Sequence, residues 1–214
     1  MVEQIQKCVE KVIEEFTVGD YFREIYEAKK NYFENVGTVA EDDPDFENRM
    51  DLFMGWYLFD RPLNVEQLSP VQLYFRKNME TFPPGEKEIY KSLTETVHSV
   101  YELMKERTDG LLLRDVGSGD KLEVEERKMK LGFSKGDIFE ARLIPLGKKY
   151  AFANGFCFHP KEAFKFIESQ MKKVRTDDQA QRTKLLLKFG QMVLKHQKFP
   201  HIDAQYIYTL TPKF

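Results

Sequence analysis

The chain has few of the residues that perform chemistry in recognisable groups. It holds two cysteines in 214 residues, Cys8 and Cys157. They are too few for a disulfide framework and suit a reducing compartment, so a cytoplasmic location is expected. No apolar run approaches the roughly 18 to 20 residues that cross a bilayer, and Met1 to Phe16 alternates charge with hydrophobe; neither a membrane span nor a secretion leader is expected. Phosphate-cradling motifs are missing too. Gly117-Ser118-Gly119-Asp120-Lys121 has the glycines, but it joins two strand-like runs and lacks the spacing and the strand-to-helix setting of a phosphate loop. There is no Gly-x-Ser-x-Gly elbow, no His-Glu-x-x-His helix and no kinase set.

Metal spacing is equally sparse. The four histidines are His98, His159, His196 and His201; His159 lies two residues from Cys157, but no second pair completes a four-ligand set. The acidic run Glu41, Asp42, Asp43, Asp45 and Glu47 lacks the glycine and distal glutamate of a helix-loop-helix calcium loop, so it reads as a solvated loop. No catalytic, cofactor-binding or metal-ligating residue is therefore assigned, and Cys157, set among aromatics, reads as a small buried hydrophobe. The chain is expected to be non-enzymatic.

Hydrophobic periodicity shows the organisation. Val2, Ile5, Val9, Val12 and Phe16 make one face of a helix. Asp20 suits the N-cap of a second helix carrying Tyr21, Phe22, Ile25, Tyr26, Phe33 and Val36, and the two are expected to form an antiparallel hairpin. Phe46 to Asp60 is apolar around most of a helix, which belongs in the centre of a bundle. Ser69-Pro70 starts another helix, to about Phe82, and Glu86 to Thr94 a further short one. Then the period changes. Val97 to Met104 no longer fits a helix; Leu111 to Val116 and Leu122 to Glu125 flank a turn, and Phe139, Ala141 and Leu143 alternate with Glu140 and Arg142. Tyr150 to Phe158 reads as one strand packed on both faces. Four or five strands at hairpin spacing predict a small antiparallel β-barrel or twisted sheet. Lys161 to Arg175, and Asp177-Asp178 to Lys198, read as helices, and Tyr206 to Leu210 as an added strand or docking peptide. The expected fold is α+β: a helical region over 1–96, a β module over 97–159, and C-terminal helices with a tail over 160–214, as one integrated domain.

Charge is uneven along the chain although the total is only -2. Residues 1–60 hold 6 basic and 15 acidic groups, whereas residues 161–214 hold 11 and 5. On the last helix Lys184, Lys188, Gln191, Lys195 and Lys198 recur at helical spacing opposite Leu186, Phe189 and Val193. This stripe is the candidate interaction surface for an unidentified protein partner. The alternative is nucleic-acid binding, with the stripe on phosphates and Tyr150, Phe152, Phe156 and Phe158 stacking on bases. The competing reading of those four rings is barrel core.

The run Phe53-Met54-Gly55-Trp56-Tyr57-Leu58-Phe59-Asp60, with Leu113-Arg114-Asp115 and Gly136-Asp137-Ile138-Phe139-Glu140-Ala141-Arg142-Leu143, resembles a family of uncharacterised bacterial proteins with a helical F-x-x-W-Y-x-F-D element followed by a small β module. The resemblance covers about residues 46–158 and implies the fold but no mechanism. Its polar residues Asp60, Asp115, Asp137 and Arg142 read as structural, since aspartates at helix ends and after glycine cap or turn the chain.

Overall fold

The computed structural model describes residues 2–125, 132–175 and 178–210. Five α-helices precede the strands: α1 (Val2–Phe16), α2 (Phe22–Val36), α3 (Phe46–Gly55), α4 (Pro70–Asn78) and α5 (Pro84–Thr94). α3 runs on into a wider π-helical turn, Trp56–Asp60, whose i to i−5 bond is made by Arg61 N–H to the Trp56 carbonyl at 3.0 Å. α4 starts as its sequence predicts. Ser69 Oγ accepts from Gln72 N–H while the Gln72 side chain accepts from Ser69 N–H, and Pro70 occupies the first turn. The apolar faces of these helices meet in one core that includes Phe16, Tyr32, Phe53, Trp56, Tyr57 and Tyr90.

Among the described residues six strands follow: β1 (Val97–Arg107), β2 (Gly110–Asp115), β3 (Lys121–Glu125), β4 (Ile138–Leu146), β5 (Lys149–Phe152) and β6 (Cys157–His159). The order β1-β2-β3-β5-β4 closes because β4 also pairs with β1, and β6 adds to the outer edge of β4. Among the described residues all pairings are antiparallel except the β3–β5 seam. The result is a five-stranded Greek-key barrel of the OB kind. Its interior is apolar, with Tyr101, Leu103, Leu113, Phe139, Ala141, Leu143, Phe152 and Phe156. Helices α6 (Phe164–Met171), α7 (Gln179–Lys198) and α8 (Ala204–Ile207) complete an α+β fold. Asp178 caps α7 by accepting from Gln181 N–H; Asp177 lies outside the described residues.

Several local expectations are corrected. Asp20 lies inside a single 3₁₀ turn, Gly19–Tyr21, and does not cap α2. α1 has its main contacts with α4 and α5, whereas α2 lies on α7, so the first two helices are not a simple packed hairpin. α4 ends at Asn78, and α6 is one short helix after a 3₁₀ turn at Lys161–Ala163. Tyr206 lies in the capped turn α8, not in a strand. Tyr150 to Phe158 is not one strand, because the chain leaves the sheet after Phe152 and returns at Cys157. Gly155 causes the break: its φ is +87°, and a Cβ there would come within 2.9 Å of Leu52 N in α3. Asn48 fastens the contact, donating to the Phe156 carbonyl at 2.8 Å and accepting from Phe156 N–H at 2.9 Å. α3 is thereby held against the wall formed by β4 and β6.

Candidate functional site

That wall carries a polar cluster under the helices. Strand alternation puts His98 and Val100 of β1, Glu140 and Arg142 of β4, and Cys157 and His159 of β6 on the face opposite the barrel interior. Register sets His98 against Arg142, Val100 against Glu140, and Glu140 against Cys157. The π-helical turn adds Asp60. Asp60 Oδ2 pairs with the Arg142 guanidinium and lies 3.0 Å from His98 Nδ1, and Oδ1 accepts from Gln179 at 3.2 Å. His98 Nε2 is 2.9 Å from Glu140 Oε1, so its ring bridges two carboxylates. Arg142 also donates to Thr96 Oγ1 at 3.1 Å and stacks over the Phe59 ring at 4.8 Å. Burial alone would raise the Asp60 pKa, but the Arg142 guanidinium and His98 overcome it and hold the group at about 2. For His98, burial and Arg142 act downward, yet the two carboxylates win and move the ring's pKa up.

The cluster continues beyond Glu140. Arg49 of α3, itself buried, donates to Asp45 at 2.8 Å and to Gln197 at 2.9 Å. His159 Nδ1 lies 3.0 Å from Tyr208 Oη. Burial, helped by Arg49, drives the His159 pKa down to about 3, so its imidazole is neutral. Burial likewise pushes the Cys157 thiol upward, with Arg49 opposing. Glu140 Oε2, His159 Nε2 and Arg49 Nη1 have no hydrogen-bond partner among the described residues. Spacing alone did not find this group, because the third member beside Cys157 and His159 is Glu140, which arrives through strand register from seventeen residues upstream. Cys8, the other cysteine, is buried elsewhere, in the helical core.

The remaining polar residues of the resemblance have structural partners. Asp115 accepts from Gly117 N–H and Ser118 N–H and forms a buried ion pair with Arg182 at 2.9 Å. Asp137 accepts from Ser134 N–H at 2.6 Å and pairs with Lys161 at 3.2 Å.

The basic stripe sits on the opposite side of α7 from Leu186, Phe189 and Val193, which are buried. Lys184, Lys188, Gln191 and Lys198 are exposed and Lys195 is half-buried. Among the described residues, none of these four lysines forms an ion pair, and Glu15, Glu24, Glu27 and Glu34 of α1 and α2 pair with Lys77, Arg61, Arg23 and Lys30. Gln191, Lys195 and Lys198 edge a groove of about 450 Å³ whose floor includes Val36, Met192, Leu194 and Ile207. Phe199 (43% exposed) and Tyr206 (51%) stand in the same groove.

The barrel aromatics are placed differently. Phe152 and Phe156 are buried in the interior, in contact with Phe139, and Tyr150 packs against the same cluster. Phe158 is 40% exposed at the rim, its ring 5.5 Å from that of Phe139. OB barrels use the strand 2–3 face for oligonucleotides; here Arg114 of β2 is engaged by Glu102 at 2.5 Å and lies over the Phe164 ring.

A family model described as a family of unknown function (DUF7986) matches residues 3–189. No curated protein matches the chain, and no solved structure does. Among the described residues no helix is long and apolar enough to cross a membrane.

Proposed function

The chain belongs to the family of unknown function DUF7986, and from that premise we propose that it is a non-enzymatic protein-interaction module whose α7 face receives an acidic segment of a protein partner. The observation that carries this reading is the groove beside Lys195 and Lys198. Cations without ion-pair partners among the described residues border an apolar floor, and two large aromatics remain exposed inside it. Isolated exposed hydrophobes are ordinary on a protein surface, but aromatic rings grouped with a charged rim are the composition of a binding patch. The non-enzymatic part of the proposal has its own support. His98, the buried group best suited to proton transfer, has both ring nitrogens taken by carboxylates, leaving neither for a substrate.

Nucleic acid is the weaker reading. It retains the lysines, but Phe152 and Phe156 are enclosed in the barrel and offer no stacking surface.

The test compares wild type with Lys188→Glu/Lys195→Glu/Lys198→Glu in affinity capture from the native host, at low and moderate salt. The expected result is one enriched protein that is lost on charge reversal and weakened by salt, while both proteins melt at the same temperature. Identical recoveries, or a chain repeatedly recovered alone, would overturn the proposal. A gel shift of oligonucleotides that falls steeply with salt would replace it with the nucleic-acid reading.

A further inference from the structure

Three side chains on the helix-facing wall are placed together by strand register. Glu140 of β4 stands opposite Cys157 of β6, and His159 follows Cys157 by two residues on the same face. Their ligand atoms all lie within 4.8 Å of one another, and all three residues are buried. Around a tetrahedral ion with bonds of about 2.0 to 2.3 Å, neighbouring ligand atoms are about 3.3 to 3.7 Å apart. Side-chain movements of about 1 Å therefore close the set. Glu140 Oε2 and His159 Nε2 are buried without partners among the described residues, and buried polar atoms are costly to leave unpaired.

We propose that Glu140, Cys157 and His159 hold one divalent transition-metal ion of the zinc class. Thiolate and imidazole donors favour such an ion over magnesium or calcium, which take oxygen ligands. A cavity of about 10 Å³ borders Glu140 and Cys157, though not His159, and has room for about one water beside those two ligands. The surrounding contacts have the form that orients metal ligands. With Nδ1 of His159 engaged by Tyr208 Oη, Nε2 is left to face the metal, and His98 holds the other oxygen of Glu140. Arg49 disfavours a bare cation here but favours a thiolate. Binding breaks the Cys157 S–H bond, forms an S–metal bond and releases the proton to solvent; no electrons are transferred. The two anionic ligands then match the divalent charge, and Arg49 keeps Asp45. Since all three residues are buried, the ion is structural: it fastens β6 to β4 and, through Tyr208, holds α8 against the barrel.

The experiment uses the full chain freed of metal with a chelator, then given Co²⁺ both during refolding and after it. The expected result is one equivalent bound, with a thiolate-to-cobalt charge-transfer band, the visible bands of a tetrahedral ion, displacement by Zn²⁺, and about one proton released per ion. Cys157→Ser and His159→Gln lose the band, whereas Cys8→Ser retains it. Tyr208→Phe weakens binding by about 10- to 100-fold, as loss of an orienting partner does. If a ligand variant does not fold, the wild-type titration and the isosteric Glu140→Gln, which loses tight binding, still decide. Absence of a saturable band in wild type under both loading conditions would overturn the proposal, leaving room for a buried water only. A band that survives Cys157→Ser would overturn it too.

Discussion

On strand β4, Phe139, Ala141 and Leu143 point into an apolar barrel, whereas Glu140 and Arg142 point towards the helices; both sets are buried. The interior set is stabilised by removal of apolar surface from water, a non-directional effect that tolerates substitutions of similar volume. The helix-facing set is charged and out of water, so it depends on partners at fixed positions: Asp60 for Arg142, and His98 for both Asp60 and Glu140. Burial is therefore only half of a residue's description. The two faces differ in what happens when one member of a contact is removed.

The largest expected effect separates them. Arg142→Met leaves Asp60 buried beside His98 without its guanidinium, and should destabilise the protein by about 3 to 5 kcal/mol. Replacing the whole pair, as Asp60→Leu/Arg142→Met, should recover much of that loss, because well-packed apolar residues commonly substitute for a buried pair. On the interior face Leu143→Ala should cost about 2 to 5 kcal/mol through the cavity it leaves, with no such rescue by removing a neighbour. Urea unfolding of the four proteins decides. If the double replacement is no more stable than Arg142→Met, the distinction between the faces fails.

Acid sharpens the same contrast. The Asp60 pKa falls from an ordinary 3.8 to about 2 in the folded state, so between those values the unfolded chain holds a proton that the folded chain does not. The resulting stability is fully present above about pH 4 and is lost as pH falls towards 2, amounting to about 2 kcal/mol. Asp60→Asn should flatten that part of the pH–stability curve, while Leu143→Ala lowers the curve without changing its slope there. A smaller effect tests the join between helices and wall. Gly155→Ala puts a Cβ against Leu52 N at a positive φ, and should cost about 1 to 3 kcal/mol in urea unfolding.

Alternation along 138–144 was enough to read β4 and its two faces, because side chains of a strand point to opposite sides every second residue. It gave no indication that the charged face is also covered, since burial of Glu140 and Arg142 depends on α3, the π-helical turn and α7, which come from both ends of the chain. Likewise the Cys157 and His159 spacing was visible, but their neighbour Glu140 is set by register with another strand, and register is not written in local period. The break at Gly155 was hidden for a related reason: Tyr150 to Phe158 has the composition of one strand, and only the approach of α3 shows why glycine stands there. Local signals with local causes, such as the Ser69-Pro70 helix start, the start of the last helix at Asp177-Asp178 and the Leu113 to Leu122 hairpin, were legible directly.

The smallest expected effect on stability concerns the surface. Lys188 is exposed on α7 and has no ion-pair partner among the described residues, so Lys188→Glu should change unfolding free energy by no more than about 0.5 kcal/mol. The same holds for Lys184→Glu. A cost above about 1 kcal/mol would mean that the face helps hold the molecule together, through contacts with the acidic N-terminal helices. Near-neutral stability would leave those charges free for a partner, and loss of capture by the same variants would then report binding and not unfolding. Melting temperature and capture measured on one preparation therefore separate a solvated or self-neutralised helix face from a working interface.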